Sequence, residues 1–360
     1  MKVAIVGAGQ LGRMLAQAAY PLGIATEFYD RSADTPGGQV APIVTGEFDD
    51  LAKLTALAGR ADVVTFDWEN VPVASLEAMR RAAPVYPDPG VLAVAQDRLL
   101  EKTLFRDLGI PTPPFAPVDL RSDLAAAIRR IGRPGILKTR RFGYDGKGQA
   151  RIRTARDDDR AWAALGGEPL IYEGFVEFTR EVSLIAARSR RGERAYYPLT
   201  ENVHEHGILA SSSSPYRSPR LQAAAERHVG AILERFGYTG ILAVEFFVAK
   251  GALIANEMAP RVHNSGHWTI EGAVTSQFEN HLRAILGLPL GQTAARGHAG
   301  MVNFVGRVPR LQRALAEPGL HLHLYGKREA RPGRKLGHAT VVASTAKARD
   351  RALRRLLRLR

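Results

Sequence analysis

The N-terminal stretch MKVAIVGAGQLG, residues 1–12, decides the fold class of the first part of the chain. Val3–Val6 is a short apolar run that predicts a β-strand, Gly7–Gly12 predicts a turn, and Arg13–Tyr20 predicts a helix. Two further apolar runs predict strands at Ala25–Tyr29 and Val63–Phe66. Short strands that alternate with helices are typical of a parallel, doubly wound sheet, so we expect the chain to begin with an α/β domain.

The glycines of this stretch also match a ligand-binding pattern. GAGQLG, Gly7–Gly12, fits G-x-G-x-x-G directly after a strand, and Asp30 lies 18 residues beyond Gly12 at the end of the second strand. This is the dinucleotide fingerprint in its usual context, and it raises the hypothesis of a nicotinamide (NAD)-dependent oxidoreductase. Glycines at a helix N-terminus accommodate any phosphate or a close backbone contact, so the motif alone does not identify the ligand.

The composition is that of an ordinary soluble globular protein. The chain has 360 residues, 45% hydrophobic and 24% charged, which fits two or three packed domains. No apolar run approaches the roughly 20 residues that cross a bilayer, and glycines interrupt the first apolar run, so we expect neither membrane association nor a signal peptide. The absence of cysteine excludes disulfides, thiol catalysis and Cys-bound zinc, and it suits a cytoplasmic protein.

The net charge of +14 raises the hypothesis of a nucleic-acid partner, but its distribution argues against one. Lys347–Arg360 holds seven basic residues and one acid, together with leucines at 353, 356 and 357. This pattern predicts a terminal helix with one apolar stripe and a solvated basic face. The chain has no basic, aromatic-rich strand pattern of the kind that stacks single-stranded bases, so we expect no nucleic-acid binding.

A Pro-rich connector, Pro111–Pro117, starts a second and smaller unit that we expect to move as a lid. Gly135–Lys138 and Ala150–Arg153 predict a hairpin, and its tip is the basic loop KTRRFGYDGKGQ, Lys138–Gln149. Its glycines let backbone N–H groups turn toward a phosphate, and Lys138 is placed to meet the α- and β-phosphates of a nucleotide. The loop lacks the G-K-[ST] ending of a Walker motif, and an ordinary flexible hairpin is the alternative.

Two features near this loop carry less specific signals. Asp145 is unusual in so basic a loop and is a candidate to act on the reacting group. The segment Tyr172–Glu181, YEGFVEFTRE, suits an adenine edge through its backbone and ribose hydroxyls through Glu181, although a plain strand crossover fits equally well. Helices are expected at Val91–Leu108, Leu124–Ile131, Pro219–Phe236 and Thr275–Leu286.

From about Phe178 the chain is predicted to be mostly antiparallel. Two hairpins are expected, Glu181–Arg188 with Arg194–Leu199, and Ile241–Val248 with Ala252–Met258 around Lys250-Gly251. A three-residue loop in the second hairpin would pair Glu245 with Glu257 on one face, with Cβ atoms about 5 Å apart. Two carboxylates at that spacing suit Mg²⁺. A two-residue loop would instead place Glu245 opposite Asn256.

The segment NEMAPRVHNSGHWT, Asn256–Thr269, holds one acid, one Arg, two His and two Asn. Because a buried polar group without a partner costs about 1–3 kcal/mol, such density indicates a site for an anionic, metal-bound substrate rather than a core strand. A polar turn is the alternative. Downstream, YGKREARPGRKLGH, Tyr325–His338, brings Lys327, Arg334 and Lys335 to a Pro-Gly turn. These cations suit a second phosphate, and a solvated basic loop is the alternative.

Taken in order, these motifs resemble the ATP-grasp superfamily, and within it the N5-carboxyaminoimidazole ribonucleotide synthetase family. The resemblance spans nearly the whole chain and rests on GAGQLG, FDWENVP (Phe66–Pro72), AQDRLLEK (Ala95–Lys102), GYDGKGQ, ENVHEHGIL, NEMAPRVHNSGHWT and GKREARPGRKLGH. It implies an α/β and α+β chain with the ATP-grasp fold. The expected domains are a Rossmann-like N-terminal domain (1–100), a small lid domain (101–177) and a larger C-terminal domain (178–360).

The resemblance also implies the residues of the site, with ATP between the lid and the C-terminal domain. The implied ATP-binding residues are Arg98, Lys138, Gly143, Tyr144, Asp145, Gly146, Lys147, Gly148, Gln149, Glu173, Gly174, Phe175, Val176, Glu181, His204, Asn256 and Glu257. Magnesium is implied at Glu245 and Glu257. The candidates for catalysis are Asp145, Arg261, His263 and Asn264. The implied ribonucleotide contacts are Gly9, Gln10, Glu69, Lys327, Arg334 and Lys335, so GAGQLG serves the substrate and no NAD is expected.

The implied reaction uses MgATP and bicarbonate to carboxylate the 5-amine of 5-aminoimidazole ribonucleotide through carboxyphosphate, a step of purine biosynthesis. The family also implies a homodimer whose other partners are small molecules. A related ATP-grasp ligase, such as a formate-dependent glycinamide ribonucleotide formyltransferase, is the alternative, followed by an NAD-dependent oxidoreductase. Phe142 departs from the family's pattern, which has glycine there, and we expect it to stiffen the lid loop.

Overall fold

The computed structural model describes residues 1–143 and 146–360, and its strands form three sheets. The strands of the first sheet are β1 (Lys2–Val6), β2 (Ala25–Asp30), β3 (Ile43–Thr45) and β4 (Val63–Phe66), in the spatial order β3-β2-β1-β4. Its helices are α1 (Gln10–Ala19), α2 (Leu51–Ala58) and α3 (Val73–Arg80). All pairings are parallel, which confirms the predicted α/β organisation. Helix α1 begins three residues earlier than predicted, which shortens the glycine turn to Gly7–Gly9.

The region predicted as a single helix, Val91–Leu108, is two helices, α4 (Pro89–Ala95) and α5 (Arg98–Asp107). Asp97 separates them, because its carboxylate accepts a hydrogen bond from the backbone N–H of Leu99 at 2.9 Å and caps α5. An Asp at the N-cap satisfies amide groups that have no partner inside the helix. The prediction of one helix was therefore wrong, and the cap gives α5 a defined first residue at the cleft.

The second sheet forms the small unit that follows. Its strands are β5 (Phe115–Val118), β6 (Gly135–Thr139), β7 (Gln149–Ile152) and β8 (Leu170–Gly174), in the order β5-β8-β6-β7, with helices α6 (Arg121–Ile131) and α7 (Ala155–Leu165). All pairings are antiparallel. Buried apolar residues such as Leu124, Leu137 and Tyr172 join the helices to the sheet. The predicted hairpin of β6 and β7 is present, with the basic loop at its tip.

The third sheet has nine strands and carries most of the site. They are β9 (Arg180–Arg188), β10 (Arg194–Tyr196), β11 (Thr200–Glu205), β12 (Ile208–Ser214), β13 (Gly240–Ala249), β14 (Ala252–Ala259), β15 (His298–Val305), β16 (Leu320–Leu324) and β17 (Lys335–Ala343). The order is β14-β13-β9-β11-β12-β15-β17-β16, with β10 beside β9, and every pairing is antiparallel. The remaining helices are α8 (Pro219–Arg235), α9 (Thr269–Gly272), α10 (Gln277–Leu286), α11 (Leu311–Leu315) and α12 (Ala346–Leu357).

The alternation of side chains along β13 separates the core from the opposite side of the sheet, where Arg98 of α5 contacts Glu257 of β14. We call the space on that side the cleft. Leu242, Val244 and Phe246 point to one face, where they pack in the core that also contains α8. Ile241 begins the opposite face in a second core. Successive side chains of a strand point to opposite faces, so Glu245 lies on the same face as Ile241. It lies further along the strand, past the apolar residues that pack on Ile241. The strand therefore presents a carboxylate to the cleft without exposing its hydrophobic face.

The hairpin of β13 and β14 has the two-residue loop Lys250-Gly251, because Ala249 pairs with Ala252. Both loop residues have positive φ, +50° and +74°, as the tightest hairpin turns require. The three-residue loop was therefore the wrong premise for pairing Glu245 with Glu257. The two glutamates are nevertheless paired, because a β-bulge places Asn256 as an extra residue between the Phe246–Ala255 and Glu245–Glu257 pairs.

The terminal helix α12 confirms the amphipathic pattern read from the basic tail. Leu356 is buried against β15 and β17, whereas Arg351 and Arg354 are exposed. Five of the seven basic residues of this segment are exposed, whereas Arg349 is buried. Among the residues that the structure describes, no helix combines the length and the apolar character needed to span a membrane.

Candidate active site

Arg98, the first residue of α5, links the lid loop to the third sheet. Its guanidinium donates to the carbonyl of Gly143 at 2.8 Å and reaches a carboxylate oxygen of Glu257 at 3.3 Å. The Asp97 cap fixes where α5 starts and so where this side chain enters the cleft. The predicted phosphate-binding arginine thus lies beside one of the two predicted magnesium ligands.

Lys138, at the end of β6, lies in a buried charge network. Its ammonium is 3.0 Å from a carboxylate oxygen of Glu173, and the ammonium of Lys102 is 3.5 Å from the same oxygen. Burial favours the neutral form of Glu173, but the two lysines outweigh it and lower its pKa to about 2. Glu173 therefore stays ionised. Its side chain contacts the two lysines, and the predicted contact of this segment with adenine stays a prediction.

Glu181 and His204, predicted for the ribose and the nucleotide pocket, form an ion pair on the cleft face of the third sheet. Burial favours neutral His204, but the hydrogen bond to Glu181 and the charges of Glu245 and Glu257 outweigh it and raise its pKa to about 9. The nucleotide side of the cleft therefore holds a third cation–carboxylate pair.

Glu245 and Glu257 meet the requirement for a shared magnesium ion. Burial and the charge of Glu257 raise the pKa of Glu245 to about 7, although the charge of His204 opposes this. Two like charges on adjacent strands repel, and a divalent cation between them removes that repulsion. Within residues 1–143 and 146–360, no three His, Asp or Glu side chains form a complete metal cage. Mg²⁺ commonly uses one or two carboxylates and takes its other ligands from water and substrate phosphates, so the pair fits.

His263 has a defined hydrogen-bonding role in this region. It is the N-cap of a short 3₁₀ turn, Asn264–Gly266, and its Nδ1 accepts from the backbone N–H of Ser265 at 3.3 Å. A backbone N–H only donates, so in the neutral ring the proton lies on Nε2, which is 3.7 Å from Glu245. Burial lowers the pKa of His263 well below its usual value, which agrees with a neutral ring. His263 therefore presents a donor to Glu245.

A chain of buried side chains supports that ring. The Ser265 hydroxyl lies 2.9 Å from His263 Nδ1 and accepts from the Ser183 hydroxyl at 2.8 Å. The Asn202 amide donates to the Ser183 hydroxyl at 3.0 Å, and Ser212 donates to Asn202 at 2.8 Å. Because these residues are buried and satisfy one another, the orientation of His263 is set from β9, β11 and β12.

Arg261 and Asn264 also reach into the site from the segment after β14. Arg261 forms a 2.8 Å ion pair with Glu69 of the N-terminal domain, and within the described part of the chain its buried Nε has no hydrogen-bond partner. A buried, unsatisfied N–H on a cation indicates a position for an anion. The Asn264 amide exchanges two hydrogen bonds with Asn303, at 3.1 and 2.8 Å. Asn264 is therefore held by β15.

The structure explains why GAGQLG does not form a dinucleotide phosphate cradle. Asp67, at the end of β4, is buried, and its carboxylate accepts from the N–H of Gly12 at 2.9 Å, while Asp30 accepts from the N–H of Ala8 at 2.7 Å. Gly7 has φ +93°, and a Cβ there would lie 2.0 Å from Asp67. The glycines therefore admit a protein carboxylate to the start of α1, where a dinucleotide would place its pyrophosphate.

The predicted ribonucleotide-binding residues come from both ends of the chain. Gly9 and Gln10 are partly exposed at the start of α1. Lys327 lies close to Asp67, and Gln39 donates to the carbonyl of Gly326 at 2.7 Å, which ties this loop to the N-terminal domain. Burial, then the charges of Arg334 and Lys335, lower the pKa of Lys327 to about 8. Two cations close enough to lower the pKa of a third indicate a site for a multiply charged anion.

The lid loop is only partly described. The predicted roles of Tyr144 and Asp145 concern residues outside the part of the chain that the structure describes. Phe142 has φ +60° and is 69% exposed, so a bulky residue occupies the left-handed region that glycine adopts easily. Two groups of implied ATP contacts are partly or fully exposed near this loop, Gly146, Lys147, Gly148 and Gln149, and Gly174, Phe175 and Val176. Gly146 lies beside the turn at His206 of the third sheet.

Sequence reasoning missed several residues that shape the site. Lys102 and Glu101 sit inside the motif AQDRLLEK, and Asp67 sits inside FDWENVP, but these motifs assigned no role to them. A charged residue on the apolar face of α5, and an acid at the carboxyl end of a parallel strand, are signals that identify such positions. Ser183 and Asn303 lie far from the site in sequence, and local pattern gives no indication of them.

Comparison with protein-family models divides the chain into three matched segments. Residues 1–96 match the ribonucleotide synthetase preATP-grasp domain, residues 103–278 match the ATP-grasp domain, and residues 299–352 match the phosphoribosylaminoimidazole carboxylase C-terminal domain. The three models occur in chain order and together cover most of the chain. The predicted ATP-grasp fold is therefore confirmed.

Individual relatives agree with the family models. The chain is 51% identical over 341 residues to the N5-carboxyaminoimidazole ribonucleotide synthase of Pseudomonas aeruginosa, covering 95% of this chain and 94% of that protein. Among solved structures, N5-carboxyaminoimidazole ribonucleotide synthetase from Thermus thermophilus is 52% identical with a TM-score of 0.95, covering 99% and 98% of the two chains. The Aspergillus clavatus enzyme in complex with ADP and 5-aminoimidazole ribonucleotide is 32% identical with a TM-score of 0.92, covering 99% and 98%.

Proposed function

The chain belongs to the N5-carboxyaminoimidazole ribonucleotide synthase family of ATP-grasp ligases, and we propose that its cleft couples cleavage of ATP to carboxylation of the 5-amine of 5-aminoimidazole ribonucleotide by bicarbonate. Bicarbonate attacks the γ-phosphate of ATP to give carboxyphosphate and ADP. Carboxyphosphate then splits into CO₂ and phosphate. The amine attacks the CO₂, and the phosphate is released. The observation that carries the proposal is that Glu245 lies close to both His204 of the nucleotide site and Lys335 of the cation cluster, because the charges of both oppose the rise in its pKa.

The nucleotide half of the cleft positions ATP and neutralises its charge. Arg98 and Lys138 replace their carboxylate partners with phosphate oxygens, and Glu181 with His204 binds the ribose side of the nucleotide. Glu245 and Glu257 are the residues that would hold magnesium, with Asn256 beside them. Magnesium bound there would supply neutralisation of the negative charge on the phosphates of ATP. Phosphoryl transfer depends mainly on such positioning and electrostatic stabilisation.

The acceptor half holds bicarbonate and the ribonucleotide. Arg261 presents its unsatisfied Nε to bicarbonate or the carboxyl group of the intermediate, and His263 donates from Nε2 rather than accepting the amine proton. The phosphate released from carboxyphosphate is a sufficient base for that proton. Lys327, Arg334 and Lys335 bind the ribonucleotide phosphate, and Gly9, Gln10 and Glu69 are the other proposed contacts of the ribonucleotide. The homodimer and the cytoplasmic location stay predictions.

Release of ADP from purified protein tests the proposal. With MgATP and bicarbonate present, 5-aminoimidazole ribonucleotide is expected to stimulate ADP release and to incorporate labelled bicarbonate in equal amount. No stimulation by the ribonucleotide contradicts the proposal. Stimulation by formate with glycinamide ribonucleotide instead supports the related ligase, and thermal protection by NADH without protection by MgATP supports the oxidoreductase.

A further inference from the structure

The outer edge of β14 is closed by an unusual set of partners. β14 is the terminal strand of the nine-stranded sheet. One of its edges pairs with β13, and no strand in the described part of the chain pairs with its other edge. On its other edge, the N–H of Ala255 donates to the carbonyl of Pro111 at 2.7 Å, and the hydroxyl of Thr112 donates to the carbonyl of Ala255 at 3.2 Å. Three backbone groups around the bulge at this edge are bound by α5.

Two consecutive residues of α5 bind the backbone on either side of the bulge. The Lys102 ammonium donates to the carbonyl of Asn256 at 2.6 Å and to that of Ala255 at 3.3 Å. The Glu101 carboxylate accepts from the N–H of Met258 at 2.6 Å. Lys102 and Glu101 are 1% and 2% exposed, so these hydrogen bonds are made in the interior.

The pair of carbonyls bound by Lys102 is a consequence of the bulge. In a regular strand, neighbouring carbonyls point to opposite edges, so one ammonium does not bind two in succession. The extra residue at Asn256 turns two adjacent carbonyls to the same edge. Without Lys102, the Asn256 carbonyl would lose its donor, and Thr112 alone would still donate to the Ala255 carbonyl. An unsatisfied carbonyl at this edge disfavours the bulge.

We propose that Lys102 and Glu101 are positioning residues that hold the β-bulge at Asn256 and thereby keep Glu245 and Glu257 opposite each other. Loss of the bulge shifts β14 by one residue, which places Asn256 opposite Glu245 and turns Glu257 to the other face of the sheet. Arg98 lies on the same helical face, three and four residues before the two clamp residues, and contacts Glu257 itself. One face of α5 thus holds the backbone that carries Glu257 and places the charge of Arg98 beside the Glu245–Glu257 pair.

This inference rests on the proposed role of Glu245 and Glu257 in binding magnesium, so its test compares Lys102 with Glu257. Ribonucleotide-stimulated ADP release is measured against total magnesium for wild type, Lys102→Met, Glu257→Gln and Thr112→Val. Lys102→Met is expected to raise the half-saturating magnesium concentration at least tenfold. Thr112→Val, which removes a donor to Ala255 but leaves Asn256 bound, is expected to stay within twofold of wild type.

A second measurement separates positioning from general stability. MgADP protection against thermal unfolding is expected to fall in Lys102→Met, and not to fall further when Lys102→Met is added to Glu257→Gln, because both changes act through Glu257. A wild-type magnesium requirement in folded Lys102→Met, with a raised requirement in Glu257→Gln, overturns the clamp but keeps the metal site. A wild-type requirement in Glu257→Gln contradicts the metal role itself.

Lys102→Gln covers the case in which Lys102→Met does not fold. Its amide donates to one of the two carbonyls, so an intermediate magnesium requirement is expected. A folded Lys102→Gln protein with the wild-type requirement overturns the proposal.

Discussion

The two halves of the cleft differ in how their charges are arranged. In the nucleotide half, Arg98 lies against Glu257, Lys138 against Glu173, and His204 against Glu181. In the acceptor half, Lys327 feels the repulsion of Arg334 and Lys335 strongly enough, together with burial, to lower its pKa. The first half is a set of ion pairs, and we propose that phosphates and a metal ion replace the partners within them. The second brings Lys327 close to two other cations, and we propose that a phosphate relieves their repulsion.

This difference predicts that variants of the two halves fail in different ways. Loss of a nucleotide-half residue is expected to stop ATP cleavage and carboxylation together. Loss of an acceptor-half residue is expected to weaken ribonucleotide binding or to separate ATP cleavage from carboxylation. The segment Asn256–Thr269 connects the halves. It contains Glu257, one of the two proposed magnesium ligands, and Arg261 and His263 follow it in the chain.

The largest effect is expected in the nucleotide half. Glu257→Gln removes one of the two proposed magnesium ligands and is expected to lower ADP release by about 10²–10³-fold, the effect typical of losing one electrostatic group at a developing charge. Initial rates at saturating substrates measure it, with circular dichroism to confirm the fold. The exposed Glu168→Gln is the matched control and is expected to have the wild-type rate. Full activity of Glu257→Gln contradicts the metal assignment.

A smaller and more selective effect is expected in the acceptor half. Lys327→Met removes a charged hydrogen bond to the ribonucleotide phosphate, worth about 1.5–3 kcal/mol, and is expected to raise the ribonucleotide KM about 10- to 100-fold. The KM for ATP is expected to stay near the wild-type value. Steady-state kinetics in both substrates measure the two constants, and the exposed Lys347→Met is the control. An equal rise in both KM values argues against a separate phosphate site.

The pH dependence of ribonucleotide binding sharpens the same assignment. Burial and neighbouring cations lower the pKa of Lys327 to about 8, so its ammonium is lost as the pH rises through 8. The phosphate needs the charged form, and the ribonucleotide KM is therefore expected to rise up to about tenfold for each pH unit above 8. Lys327→Arg keeps its charge throughout this range and is expected to flatten the profile. An unchanged profile in Lys327→Arg assigns the titration to another group.

The smallest effect is expected outside the cleft. Arg351→Gln combined with Arg354→Gln changes the solvated face of α12, and it is expected to alter the free energy of unfolding by less than about 0.5 kcal/mol. ADP release is expected to be unchanged. Leu356→Ala, on the buried face, is the contrasting variant and is expected to cost about 2–5 kcal/mol. Urea unfolding measures both, and a catalytic defect in the double variant would assign the tail a role in the reaction.

Much of the fold follows from local sequence patterns. The β-strand at Val63–Phe66, the parallel N-terminal sheet and the amphipathic α12 were predicted from apolar periodicity, because each depends on which side chains are buried. The family was identified from motifs that lie far apart, and the comparisons confirm it. The split of Val91–Leu108 was missed although Asp97 is a strong cap residue, because the apolar period continues across it.

The site was less accessible from the sequence, for reasons that concern contacts distant along the chain. Counting loop residues gave two possible partners for Glu245 but tied Glu257 to the wrong loop length, because the bulge at Asn256 is held by α5, about 155 residues earlier. GAGQLG predicted either a phosphate or a close contact at its backbone, and the Gly12 N–H donates to Asp67, 55 residues further along the chain. In both cases the deciding group comes from another element, and no local period contains that information. The assignments of individual ligand contacts stay predictions.

The number of ADP molecules released per labelled bicarbonate incorporated tests the coupling of the two halves most directly. Arg261→Gln removes the cation that pairs with Glu69 and whose buried Nε has no hydrogen-bond partner in the described part of the chain, while it leaves Glu245 and Glu257 in place. We predict that this ratio rises several-fold above the wild-type value in Arg261→Gln, because carboxyphosphate still forms but is hydrolysed. A ratio equal to that of wild type, with both products reduced in proportion, would contradict the assignment of Arg261 to the carboxylation half.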